Sequence, residues 1–384
     1  MKFFHISDLH IGLRLLNQDM SNDQRYILDK IVEEARVRKP DALVIAGDIY
    51  DKAIPSAEAV QLFDDFLNNI ASAIPEAEIM MISGNHDSAA RLNIYRGLLA
   101  KEHIHMIGLP PTHPEEHIEK VVLDDEFGKV NFWLLPFVKP SMVRLITMQD
   151  ESDRAYSYDE AMHILMEREN IDKTERNIFV SHQFYIPSGK SALEIERMDS
   201  EVVTVGNIDA INSDILEAFD YAALGHVHKP MKVGSELYRY SGTPIASSFS
   251  EAGQQKGIIE VEIREKGNVS TEVIPLKPLH EVKIIKGTLE DVLKERCDDY
   301  VSVILTDEDG SIDPSDANDR LKDAFSNILE IRRENIKKAD YSGKISVKKA
   351  LDPYELCCMF LSDPDEEQKE LLSEVINTIL EDER

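Results

Sequence analysis

KFFHISDLHIG, residues 2–12, runs a short apolar stretch straight into Asp8-Leu9-His10, and that junction decides how the chain is read. Lys2 to Ser7 has the length and residue types of a buried strand. The arrangement recurs. Asp41 to Ala46 (DALVIA) leads into Gly47-Asp48-Ile49-Tyr50-Asp51, and Glu78 to Ser83 (EIMMIS) into Gly84-Asn85-His86-Asp87. Asn177 to Val180 (NIFV) leads into Ser181-His182, and Tyr221 to Leu224 (YAAL) into Gly225-His226-Val227-His228. Between the first three strands lie Ser21 to Arg38 and Ser56 to Ile74. Both carry apolar residues at helical spacing, as in Ile27, Ile31, Ala35 and Leu62, Phe66, Ile70. Strand, helix, strand, helix, strand predicts an α/β protein whose parallel sheet has right-handed crossovers. Ligands in such sheets gather at the carboxyl ends of the strands, so Asp8, Asp48 and Asn85 are expected to converge on one edge.

The residue types at those ends are those of a binuclear metal site. Each motif alone has a bland explanation: Asp-x-His is usually surface polarity, Gly-Asn-His-Asp a turn, a single His182 a satisfied histidine. Five in this order are hard to explain without metal. Asp48, on a rigid strand end, is the natural bridging carboxylate, and the alternating imidazoles of His226 and His228 can serve two ions from one loop. Mixed imidazole and carboxylate donors suit Mn, Fe or Zn, whereas Mg or Ca sites are normally all oxygen. Two ions roughly 3.5–4 Å apart activate a water and stabilise both the attacking and the leaving oxygen of a phosphate ester. His5, His103, His105, His113, His117, His163 and His280 lack such placement and read as ordinary.

These five motifs resemble the calcineurin-like metallophosphoesterases. Among them the chain most resembles the SbcD family, the nuclease subunits of bacterial SbcC–SbcD complexes. The opening MKFFHISDLHIG, the stretch AGDIYDKAIPS, Tyr240-Ser241-Gly242-Thr243-Pro244 and Ser248-Phe249-Ser250-Glu251 carry the narrower likeness. It implies a β-sandwich flanked by helices, a small α/β capping domain and a C-terminal helical segment that docks on an ATPase. It also implies two divalent ions, Mn2+ foremost: Asp8, His10, Asp48 and His228 around the first, Asp48, Asn85, His182 and His226 around the second. His86 would face the scissile phosphate as the catalytic residue, which suits a side chain that carries a proton near neutral pH. Asp51 stands where archaeal and eukaryotic relatives have a second histidine; with Asp87 it is expected behind the ligands. Ser/Thr phosphatases of the superfamily differ, since Lys52-Ala53 follows Asp51 here and the Gly-Asn-His motif ends in Asp87. The implied activity is 3′-to-5′ exonuclease on duplex DNA and endonuclease on single strands or hairpins, in repair, recombination and replication. The family also implies a homodimer, here through an apolar face within Ser56 to Ile74 or Arg91 to Leu99.

Composition bounds the rest. The chain has 384 residues and a net charge of −29, with no Lys/Arg-rich tract. Duplex binding usually leaves a basic footprint. Either a basic partner, the SbcC-type coiled-coil ATPase, supplies the grip on DNA, or the substrate is a small phosphodiester. Arg14, Arg91, Arg96, Lys190 and Arg197 are local candidates for a groove, and equally for solvated surface. Cys297, Cys357 and Cys358 form no disulfide framework, and no run of about 18 apolar residues appears. A cytoplasmic protein without membrane contact is expected.

Lys256 to Arg264 and Val269 to Leu276 alternate as antiparallel strands that close a nuclease domain over 1–277. A capping domain over 278–335 then reads as strand (His280 to Lys286), helix (Thr288 to Cys297), strand (Tyr300 to Thr306), helix (Ser315 to Ile328) and strand (Leu329 to Arg333). Residues 336–351 read as a linker. From Asp352 to Arg384 the chain holds 11 Asp/Glu and an apolar stripe at Leu371, Leu372, Val375, Ile376, Ile379 and Leu380, a face that needs a partner.

Overall fold

The computed structural model describes residues 1–94, 96–147, 156–190, 198–201, 209–308 and 311–334, with 368, 369 and 372 beyond them. Met1–Glu334 is one compact unit. The linker, most of the C-terminal segment and Arg197 lie outside the described residues.

Two six-stranded sheets stack face to face. In the first, Lys2–Ile6 lies between the parallel Ala42–Ala46 and the antiparallel Gly257–Ile263; Glu78–Ile82 and Ile104–Ile107 extend one side and Val269–Pro275 the other. The second centres on Arg176–His182 and Tyr221–Gly225, which pair in parallel. Gly128–Leu135 and Glu119–Asp125 continue on one side, Ser235–Tyr240 and Met231–Val233 on the other. Central strands with both faces covered must be apolar throughout, and Ala42–Ala46 is buried at all five positions.

The alternation of side chains sends one set inward and the other out. Phe3, Val44 and Met80 from one sheet meet Phe132, Ile178 and Tyr221 from the other. The Phe3 ring sits edge-on to Phe132 at 5.3 Å and to Tyr221 at 5.7 Å, an arrangement favoured by the ring quadrupoles. On the outer face of the first sheet, Ser21–Arg38 and Ala57–Ala73 pack Ile27, Ile31, Leu62, Phe66 and Ile70 against Phe4, Leu43 and Ile79. Ser56 caps the second of these helices by accepting from Ala59 N at 3.2 Å. Pro140–Thr147 and Tyr158–Glu167 cover the second sheet with Val143, Ile146 and Leu165. The result is the expected sandwich between helical layers.

The following segment is a three-stranded parallel sheet, Val282–Gly287, Cys297–Leu305 and Phe325–Arg333, with Leu289–Val292 and Pro314–Ala324 as helices. Both helices are shorter than their sequence pattern predicts. The first buries Leu289 and Val292, but Arg296 falls where the next apolar residue of the stripe would be. The second ends because Phe325 is extended (φ −130°) and opens a nine-residue strand paired with Cys297–Leu305. Sheet pairing there overrides helical periodicity. Asp23 of the first helix ties this segment down: Oδ1 accepts from His280 Nδ1 (2.9 Å), and Oδ2 from the Tyr300 hydroxyl (2.8 Å). Among the described residues no helix is long and apolar enough to cross a membrane.

Asp23 is 2 % exposed, so losing a donor there leaves a buried acceptor partly unpaired. Tyr300→Phe is expected to lower stability by about 1–3 kcal/mol, measured by urea unfolding beside the unaltered chain.

Candidate metal centre

The site is built from backbone that L-residues adopt reluctantly. Asp8 (φ 53°), His10 (42°), Asp48 (49°) and His226 (101°) all lie in the left-handed region. Such residues cost of order 1–3 kcal/mol each and persist only where the surroundings over-determine them. Here the first two loops clamp each other, Asp8 N donating to Gly47 O (3.0 Å), His10 N to Asp48 O (3.0 Å) and Ile11 N to Ile49 O (2.9 Å). Asp87 staples the third loop to the second: its carboxylate accepts from Ile49 N (3.0 Å), Tyr50 N (2.9 Å) and Gly84 N (2.9 Å). Two glycines are dictated by proximity. A Cβ at Gly84 would lie 2.1 Å from Asp48 Oδ1, and one at Gly225 would lie 1.9 Å from Ala46 O.

On this frame the seven expected ligands come together. Metal-competent atoms of Asp8, His10 and His228 lie within 4.8 Å of one another, as do those of Asp8, Asp48 and His182. His10 Nε2 faces His228 Nε2 at 3.1 Å, and Asp48 Oδ2 is 3.6 Å from His10 Nε2 and 3.2 Å from His182 Nε2. Asn85 Oδ1 lies 3.1 Å from His182 Nε2 and 2.9 Å from His226 Nδ1. His182 donates Nδ1–H to Ala46 O at 2.8 Å, which directs Nε2 into the cluster. Asp8, Asp48 and Asn85 follow strands of the first sheet; His182, His226 and His228 come from the second.

His86 is half-buried at the edge of the cluster. Its backbone N–H donates to Asp48 Oδ1 (2.9 Å) and its Nδ1–H to Asp51 O (3.0 Å). Its ring also falls into a close group with His10 and Asp48. The Asp51 carboxylate sits 3.6 Å from His10 Nδ1, beside that imidazole.

Charge in the cluster is coupled. Burial opposes ionisation of Asp48, yet the charges of His182, His86 and His10 outweigh it and hold the carboxyl well below its usual range. Burial likewise opposes the charge on His182, but Asp48, with a smaller push from Asp8, raises it to about 9. Asp87 is pushed up to about 6 by burial first and the Asp48 charge second, against its three N–H donors.

Several contributors carried no sequence signal of their own. Glu251 and Lys256 form a buried ion pair at 2.6 Å behind His228, and Ser200 and Ser247 bridge Glu251 to the His228 ring. Ser7 donates to Asp8 Oδ2. The one hint was Ser248-Phe249-Ser250-Glu251, which carried part of the family likeness but no role for Glu251. His5 is the core histidine its strand position implies, bonded to the Tyr221 hydroxyl (2.9 Å) and driven down to about 3 by burial. Arg96 pairs with Glu119 at 2.9 Å and Arg14 donates to Asn17 O at 2.8 Å, so neither is aimed at the cluster.

These shifts fix a pH dependence for the metal-free chain. His182 has a raised folded value, so its contribution is complete below about 6.5 and is lost as pH rises through about 9. Asp48, with a lowered value, contributes above about 3.8. In chelator the melting temperature is expected to fall between pH 6.5 and 9, and His182→Asn to flatten that slope.

The calcineurin-like phosphoesterase family model matches residues 1–230, and the model of the Type 5 capsule protein repressor C-terminal domain matches residues 276–363. Among curated proteins the chain is similar to the D subunit of the nuclease SbcCD from Staphylococcus saprophyticus. The two are 33% identical over 305 residues, covering 77% of this chain and 74% of that one. Among solved structures it is similar to TT1561 of Thermus thermophilus (12% identical, 71% of this chain and 98% of that one, TM-score 0.38). It is also similar to a dimetal phosphatase from Danio rerio (9% identical, 71% and 98%, TM-score 0.36). A phosphoesterase match over most of the chain, a C-terminal match beyond it and a relative at this identity agree with the geometry: the chain belongs to the calcineurin-like phosphoesterases and, within them, to the SbcD family.

Proposed function

We propose that this chain is the nuclease subunit of an SbcC–SbcD-type complex and hydrolyses phosphodiester bonds in DNA with two divalent ions, Mn2+ foremost. The observation that carries this is the convergence of seven donors from two sheets on one point. Asp8, His10, Asp48 and His228 would hold one ion and Asp48, Asn85, His182 and His226 the other, Asp48 bridging. The donor set fits. Two imidazole nitrogens 3.1 Å apart at His10 and His228 can share one proton or face one cation, and mixed nitrogen and carboxylate donors suit Mn2+. The ions, when bound, supply an activated water and stabilisation of the attacking and leaving oxygens.

The chain's own part is orientation and proton handling. A carbonyl oxygen can only accept, so the bond from His86 to Asp51 O places a proton on Nδ1. A second proton, on Nε2 of the imidazolium, is then the one available to the departing sugar oxygen. His10 and His182 instead have their outer nitrogens directed by Asp51 and Ala46.

DNA is the substrate favoured by the family, as a 3′-to-5′ exonuclease on duplex ends and an endonuclease on single strands or hairpins. The charge of −29 means that a basic partner provides much of the grip, and the acidic segment 352–384 is where a coiled-coil ATPase docks in this scheme. Dimerisation would use an exposed apolar face within either Ser56 to Ile74, where Val60 is exposed, or Arg91 to Leu99, where Ile94 and Leu98 are. The whole assembly would work in the cytoplasm. The same net charge favours one second reading, a phosphodiesterase of small substrates.

The test is Mn2+ with an end-labelled hairpin and a linear duplex, with and without an SbcC-type ATPase. Cleavage that needs Mn2+ is expected, and His86→Ala should abolish most of it while still binding two ions. Loss of both ions in that variant would refute the role given to His86. Rapid turnover of a small phosphodiester without DNA cleavage would favour the second reading. Because the His182 ring holds its proton up to about pH 9 and must lose it to ligate, Mn2+ affinity is expected to rise between pH 6.5 and 9. Calorimetry in buffers of different ionisation enthalpy measures the released proton.

A further inference from the structure

The histidines of the cluster differ in what stands behind them. His182 rests its Nδ1 on a neutral backbone carbonyl, whereas His228 rests its Nδ1 on two hydroxyls, Ser200 Oγ at 2.8 Å and Ser247 Oγ at 3.1 Å. Both hydroxyls donate to the same oxygen of Glu251, Oε1, with Ser200 at 2.9 Å. The other oxygen, Oε2, accepts from Lys256 Nζ (2.6 Å) and Thr243 Oγ1 (2.8 Å). Lys256 also donates to the His228 carbonyl at 2.9 Å. Glu251 is 1 % exposed, so a carboxylate, its balancing ammonium and two hydroxyls are packed behind one imidazole.

The direction of these bonds has a chemical consequence. An ionised carboxylate only accepts, so both serine protons are committed to Glu251. The serine oxygens then present lone pairs to His228, and Nδ1 must be the donor. The proton of a neutral ring is thereby fixed on Nδ1, leaving the Nε2 lone pair directed at His10 and Asp8. We propose that Glu251 is a positioning residue of the metal centre, fixing the tautomer and orientation of His228 through Ser200 and Ser247. This rests on His228 being a ligand. Lys256 Nζ, 2.6 Å from Oε2, supplies the opposite charge that this buried carboxylate needs. The alternative is that the Glu251–Lys256 pair merely staples the 242–256 loop.

The full chain is titrated with Mn2+ alone by calorimetry, beside thermal melting of the metal-free protein. The Ser200→Ala/Ser247→Ala double variant keeps the ion pair and removes the relay. It is expected to lose about 10–100-fold in affinity at one of two sites with the other site unchanged, while the metal-free melting temperature falls because buried Glu251 Oε1 loses two donors. Glu251→Gln, whose amide can donate back to the serines, should show the same one-site loss. Wild-type affinity at both sites in the double variant, or equal weakening of both, overturns the positioning role. His228→Ala separates the two layers. If it loses one site while the double variant does not, only the positioning role fails; if it binds two ions normally, the ligand assignment fails and takes this proposal with it.

Discussion

Everything at the cluster depends on the mutual clamp between the Asp8–Ile11 and Gly47–Ile49 segments. Three backbone bonds between them hold Asp8, His10 and Asp48 in left-handed conformations that an isolated loop would leave. The clamp is possible because the two parent strands are parallel neighbours in register, Ile6 opposite Ile45. Their ends therefore emerge side by side and pair on past the sheet. Strand register thus fixes carboxylate and imidazole positions, and the apolar sandwich core supplies the free energy that maintains strained backbone at its rim.

The convergence of the candidate donors was legible in the sequence because each follows an apolar strand, and a strand's end is the most readable boundary in an α/β chain. That rule placed Asp8, Asp48 and Asn85 on one edge and singled out His182, His226 and His228; setting Asn85 among the expected ligands and His86 apart from them came from the family resemblance. The supporting shell was not legible. Glu251 comes from a loop without periodicity, Lys256 was read only as the first residue of an alternating strand, and Ser200 comes from a short stretch whose position is set by tertiary contact. The Cys297 and Phe325 boundaries failed for a related reason: parallel pairing across three strands decided them, and no local pattern reports a distant partner.

The electrostatics of the centre depend on compensation within it. Asp48 and His182 each shift in the direction that burial alone would oppose, because each sits against the other's charge at 3.2 Å. A cation entering the cluster substitutes for protons already held there, so the polar core need not be rebuilt on loading. The chain as a whole is far from such balance, with 72 Asp and Glu against 43 Lys and Arg.

The division of the ligands between the two sheets has a mechanical meaning. Asp8, Asp48 and Asn85 stand on one half of the sandwich and His182, His226 and His228 on the other, with the Phe3, Phe132 and Tyr221 rings filling the seam below them. The separation of the sheets is therefore the ruler that spaces the donors, and any ligand gripping both sets rivets the halves together. Trimming the seam by even one ring would be felt at the rim as a misfit between two half-sites, each locally intact.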